Sequence, residues 1–198
     1  MTQRNRGRGM TSLQVRRLTY AALYLALAMV LPFVTGQIPE ISSALSPMHI
    51  PVLLCGFMCG WPWGLAVGFI APPLRSMLFG MPAMIPGAAA MAFELATYGA
   101  VAGILHRRLP GWRLRIYVTL VTAMIAGRVV WGAARVVLAG LTASEFTWKL
   151  FITGAVLNAV PGIILHLVLI PVLVAAMDRA GLSLNPRDGA KAAEKDWR

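Results

Sequence analysis

Acidic residues are scarce in this chain. Seven Asp and Glu stand against 18 Lys and Arg over 198 residues. No two carboxylates are paired in the way general acid and base catalysis needs, and no Ser-centred nucleophile motif is present. Cysteine amounts to two residues, Cys55 and Cys59, four apart in an apolar run. That spacing reads as packed thiols on one helix face, not a disulfide framework or a metal site. The three histidines lack zinc-ligand spacing. A phosphate-binding GxxxxGK(S/T) loop is missing, so the chain carries no ATPase of its own kind. No soluble domain and no internal repeat stand out.

Charge is low throughout, at 13%, and hydrophobic residues make up 58% of the chain. They fall in runs of membrane length, the signature of an all-α integral membrane protein. The net charge of +11 does not indicate nucleic acid, because the basic residues gather at the tails and in one loop. The N-terminal apolar run lacks a cleavage-site pattern and reads as a first span, not a removed leader.

Six spans are expected, at about 15–34, 48–60, 62–79, 83–105, 114–139 and 148–177. The second is short for a bilayer that needs roughly 20 helical residues, so it is tilted, broken or partly re-entrant. Residues 1–14 then form a basic tail, 15–177 the membrane domain and 178–198 a polar tail. With both termini in the cytoplasm, Arg4, Arg6, Arg8, Arg16, Arg17, Arg107, Arg108, Arg113, Arg115, Arg179, Arg187, Lys191, Lys195 and Arg198 all lie inside, and Lys149 alone among the flanking charges lies outside. That asymmetry fits the positive-inside bias.

Four ionisable residues remain within the expected spans: Arg75, Glu94, Arg128 and Arg135. An arginine at mid-bilayer costs about 2.5–3.5 kcal/mol on an insertion scale, so each should face a partner or a cavity. Arg75 lies roughly 7 Å below the outer end of its span and Glu94 roughly 15 Å, at 1.5 Å per residue. Arg128, Trp131 and Arg135 share one helix face. Two readings stay open. Glu94 can form a structural pair with one arginine while Arg135 snorkels outward. Alternatively, the excess of three cations over one anion awaits a carboxylate-bearing or phosphate-bearing solute. Asn158, His49 and Tyr98 fall at similar depth. Pro161 and Gly162 weaken the last span and can free carbonyls for a ligand. His166 is expected to be a buried hydrogen-bonding residue.

The runs "SPMHIPVLLCGFMCGWPWGLAVGFIAPPLRSMLFGMP", "AMAFELATYGAVAGIL" and "NAVPGIILHLVLIPVLV" resemble the S components of energy-coupling factor (ECF) vitamin transporters. Within that superfamily the chain looks most like pantothenate-type members. The resemblance covers about residues 15–177. It implies a non-catalytic, multi-pass subunit of a prokaryotic plasma membrane that binds a vitamin from outside. It also implies two sets of partners, a transmembrane coupling subunit and two cytoplasmic ATPases, with no cofactor, metal or nucleic acid. In the family the S component is thought to topple in the membrane to release its cargo. Substrate-binding residues would be Arg75, Glu94, Arg128, Asn158, His49, Trp131 and Tyr98. The family's Ala-x-x-x-Ala docking pattern would fall on Ala22 and Ala26, with Ala21 and Ala28 nearby. The segment 35–46 resembles the family's lid, with Glu40 as its one carboxylate. Alternatives are a different vitamin (riboflavin, a pyridoxine-type compound or cobalamin), an intramembrane enzyme using Glu94 and His166, or a stand-alone permease or structural membrane subunit.

Overall fold

The computed structural model describes residues 3–34, 46–109, 114–142, 160–182 and 184, and among them it is predominantly helical, with no strand. Among the described residues six α-helices follow in chain order: α1 (Gln3–Val34), α2 (His49–Cys59), α3 (Trp61–Phe79), α4 (Ala89–Arg108), α5 (Arg115–Thr142) and α6 (Val160–Arg179). A kinked turn, Met84–Ala88, with Ile85 in extended backbone at φ −124° and ψ 129°, leads into α4. Among the described residues four segments are long and apolar enough to cross a membrane: Ser12–Phe33, Met84–Arg108, Arg115–Gly140 and Pro161–Arg179. The helix at 61–79 and the short one at 49–59 match the expected third and second segments closely. The first helix starts well before the expected span, at Gln3. The start of the expected sixth span, like Asn158, Glu40 and the segment 35–45, lies outside the described residues.

The short helix α2 organises the rest. It has no polar face beyond His49, and a helix that is apolar all round belongs in the interior. All eleven of its residues are buried. Helices α1, α3, α4 and α6 pack against it, and Val52, Leu53, Phe57 and Met58 fill the space between them. The outward faces are apolar too. Leu18, Leu23, Val30, Val129, Val136, Val168 and Val172 are exposed along α1, α5 and α6, as expected where lipid replaces water.

The most extensive helix contact is between α3 and α4. Its closeness depends on Gly64 and Gly99. A Cβ on Gly99 would run into the Gly64 backbone, and one on Gly64 would meet the Gly99 carbonyl. In an apolar solvent, small residues let backbones approach until van der Waals contact holds the pair together. Helices α1 and α6 are tied separately. Tyr24 donates its hydroxyl to Met177 Sδ at 3.6 Å, and Arg17 donates to the Leu184 carbonyl at 3.2 Å.

Replacing Gly99 by valine should therefore overpack the α3–α4 seam at a cost of about 1–3 kcal/mol. Thermal unfolding in detergent micelles is expected to show a lower midpoint; an unchanged midpoint would contradict the close approach of the two backbones.

Candidate functional site

Three elements converge on one carboxylate oxygen. Glu94 lies early in α4 and is 1% exposed. One turn later on the same face, Tyr98 donates its hydroxyl to Glu94 Oε1 at 2.9 Å, as the i,i+4 spacing allows. From α5, Arg128 places a terminal guanidinium nitrogen 3.1 Å from the same oxygen. From α2, His49 Nε2 stands 3.7 Å away, too far for a hydrogen bond but near enough for charge to be felt. The His49 ring lies 5.3 Å, centroid to centroid, from Tyr98 and 5.9 Å from His166 on α6. Four helices thus meet at one polar cluster.

Local sequence explains each placement. Ser46, Pro47 and Met48 form the turn that starts α2, with the His49 amide donating to the Ser46 carbonyl at 3.0 Å, so His49 takes the first helical position. Tyr98 needs a gap on α5, and Gly127 supplies it; a Cβ there would overlap the tyrosine ring. Arg128 follows immediately, so the residue that makes room and the residue that pairs are adjacent in sequence.

The Glu94–Arg128 pair realises the first of the two readings open at the sequence level. It leaves the cluster balanced in charge when the imidazoles are neutral. The pair is not sealed, because the Arg128 side chain is 22% exposed against 2% for Glu94. Both ring nitrogens of His49 and Nε2 of His166 are buried without a hydrogen-bond partner.

Other expected site residues fall elsewhere. Arg75 is buried where α1 meets α3. It donates to the Met29 carbonyl at 2.9 Å, and its guanidinium carbon stands 5.4 and 5.3 Å from the ring centroids of Phe33 and Phe79. Those two rings meet edge to face at 5.0 Å. A guanidinium has five N–H donors, so the Met29 bond leaves several for other use. Arg135 stacks over Trp131 at 5.6 Å, further along α5. On α1, Ala22 and Ala26 lie on the exposed face, whereas Ala21 and Ala28 turn toward the core. The imidazole in contact with Glu94 is His49, which the acid–base alternative had not paired with it. Among the described residues no three His, Cys, Asp or Glu side chains are grouped to hold a metal ion. The proximity of His166 to His49 was beyond sequence reasoning; nothing local to either residue signals a contact between α2 and α6.

The ion pair should show as strong coupling between two substitutions. Arg128→Met strands a buried carboxylate and is expected to destabilise the protein more than the double variant Glu94→Gln/Arg128→Met does. A double-mutant cycle in detergent should give a coupling energy within roughly 0.5–3 kcal/mol; additive effects would mean the two side chains do not pair.

Comparison with known families gives a match over most of the chain. The model of the family described as ECF transporter, substrate-specific component, fits residues 16–174. No curated protein matches, and no solved structure does. The matched region includes α2, α3, α4, α5 and most of α6, and with them His49, Glu94, Tyr98, Arg128 and His166. On that match, the chain belongs to the family of substrate-specific components of ECF transporters.

Proposed function

We propose that the protein captures a small anionic vitamin, pantothenate foremost, from outside a prokaryotic plasma membrane. It then delivers the vitamin through a transmembrane coupling subunit driven by two cytoplasmic ATPases. In this reading six segments cross the bilayer with both termini inside, and the Glu94 cluster is the polar end of the binding cavity. The observation that carries it is Arg128, partly exposed beside a fully buried Glu94. One terminal nitrogen of the guanidinium faces the protein carboxylate, and its remaining donors can take a ligand carboxylate in charge-assisted hydrogen bonds. Glu94 keeps that fork in place and can accept a ligand hydroxyl.

Pantothenate suits such a site because it carries a carboxylate, hydroxyls and an amide. Arg75 and Trp131, which stand apart from the Glu94 cluster, are proposed to meet other parts of the vitamin, with Asn158 as a further hydrogen-bonding residue and the segment 35–46 as a lid. The exposed Ala22–Ala26 face of α1 is the surface offered to the coupling subunit, where small side chains permit close helix approach. A second reading, a neutral hydroxyl-bearing vitamin such as riboflavin or a pyridoxine-type compound, is favoured by one observation. Glu94 already balances the charge of Arg128.

Equilibrium binding to the purified protein with a panel of pantothenate, riboflavin, pyridoxine and cobalamin separates these readings. Pantothenate is expected to bind, and Arg128→Met to weaken it by about 2 kcal/mol or more, near thirtyfold. Tight binding of a neutral vitamin with none of pantothenate would overturn the anionic reading. Ala22→Trp with Ala26→Trp should leave vitamin binding intact and abolish co-purification with the coupling subunit.

A further inference from the structure

The cluster around Glu94 divides into satisfied and unsatisfied atoms. The Tyr98 hydroxyl and one Arg128 nitrogen are committed to Glu94 Oε1. The imidazoles are not committed in the same way. His49 is 3% exposed and His166 is 2% exposed, yet both ring nitrogens of His49 and Nε2 of His166 have no hydrogen-bond partner. The remaining contact of the His166 ring is to the backbone of Ser46, at the entry to α2. A neutral imidazole always presents one donor and one acceptor, so no choice of tautomer removes the deficit. Buried polar atoms are nearly always paired, and those that are not call for an explanation. Three such ring nitrogens lie together here, on two rings 5.9 Å apart and tilted by 30°.

We propose that His49 and His166 form a paired-imidazole site that hydrogen-bonds a single oxygen of the transported vitamin, while Glu94, Tyr98 and Arg128 hold the surrounding framework. The proposal rests on the vitamin-binding reading above and assigns His166, on α6, a direct role in it. Two hydrogen bonds of about 2.8 Å to one shared atom need ring nitrogens no more than about 5.6 Å apart, and rings with centroids 5.9 Å apart can present nitrogens within that reach. The ligand group is an uncharged or anionic oxygen, that is, a hydroxyl, an amide carbonyl or a carboxylate. An ammonium is a poor match, since it offers donors alone and stands beside Arg128. The site also joins α2 to α6, two helices far apart in the chain, so the bound oxygen completes a contact that the protein leaves unfinished.

The chain has only three histidines, which makes the test direct. The third, His106, accompanies Arg115 at 3.3 Å, twelve residues further along α4 and so roughly 18 Å from Glu94; it serves as an internal control. Protein labelled with 15N-histidine, purified in micelles, is titrated with pantothenate and with each other vitamin of the panel. The resonances are assigned from His49→Gln, His106→Gln and His166→Gln. Saturation with the vitamin that binds is expected to shift the ring nitrogens of His49 and His166 and leave those of His106 in place. His166→Gln is expected to weaken that vitamin about tenfold, the worth of one hydrogen bond. Binding that leaves the His49 and His166 signals unmoved overturns this proposal and spares the functional reading. Failure of every vitamin in the panel to bind overturns the functional reading and this proposal with it. The spectra of the unsubstituted protein decide the matter even if His166→Gln does not fold.

Discussion

A carboxylate removed from water and surrounded by hydrocarbon must be compensated, and the helical bundle around Glu94 is arranged to do so. Desolvation of an isolated ion costs far more than one helix contact returns. Helix α4 therefore cannot sit in this place unless α5 brings Arg128. Tyr98 on the same helix adds a hydroxyl to the same oxygen. The small residues follow from that demand. Gly127 opens the space that Tyr98 occupies, and Gly99 lets α3 lie close against α4 without displacing it. One acidic side chain thus sets the mutual positions of several helices.

The arginines show how burial sorts residues that look alike in sequence. Arg75 and Arg128 both interrupt apolar runs. Arg75 gives one donor to a backbone carbonyl and stands between two phenyl rings, a setting that suits a delocalised cation without a formal counter-charge. Arg128 finds the carboxylate. Arg135 stacks on Trp131. Three cations facing one anion therefore resolve into three different solutions. The two faces of α1 are also distinct, with Ala21, Tyr24 and Ala28 packed inward and Ala22 and Ala26 exposed. A membrane subunit that must hold a solute and also meet a partner benefits from that separation.

Much of this was legible in the sequence. Helical character followed from apolar runs, and the expected limits of α2 and α3 fell within a residue of the observed ones. Glu94, Arg128, His49 and Tyr98 were singled out because ionisable and hydrogen-bonding groups are expensive among apolar neighbours. Their convergence was not legible. Contacts between α2, α4, α5 and α6 depend on how short α2 sinks into the middle of the bundle, and one-dimensional periodicity carries no such information. Arg75 illustrates the same gap: its spacing signalled an unusual charge, but not that Met29, Phe33 and Phe79 would surround it. The start of α1 was missed because its first turns are polar, and an apolar-run criterion does not count them.

The account turns on the Glu94 cluster being where the solute is held. An experimental structure determined with the tightest-binding vitamin of the family's repertoire tests this most directly. Ligand density touching His49 and Arg128, with Glu94 still paired, is the predicted result. A vitamin seated elsewhere, with the cluster closed and dry, would contradict it.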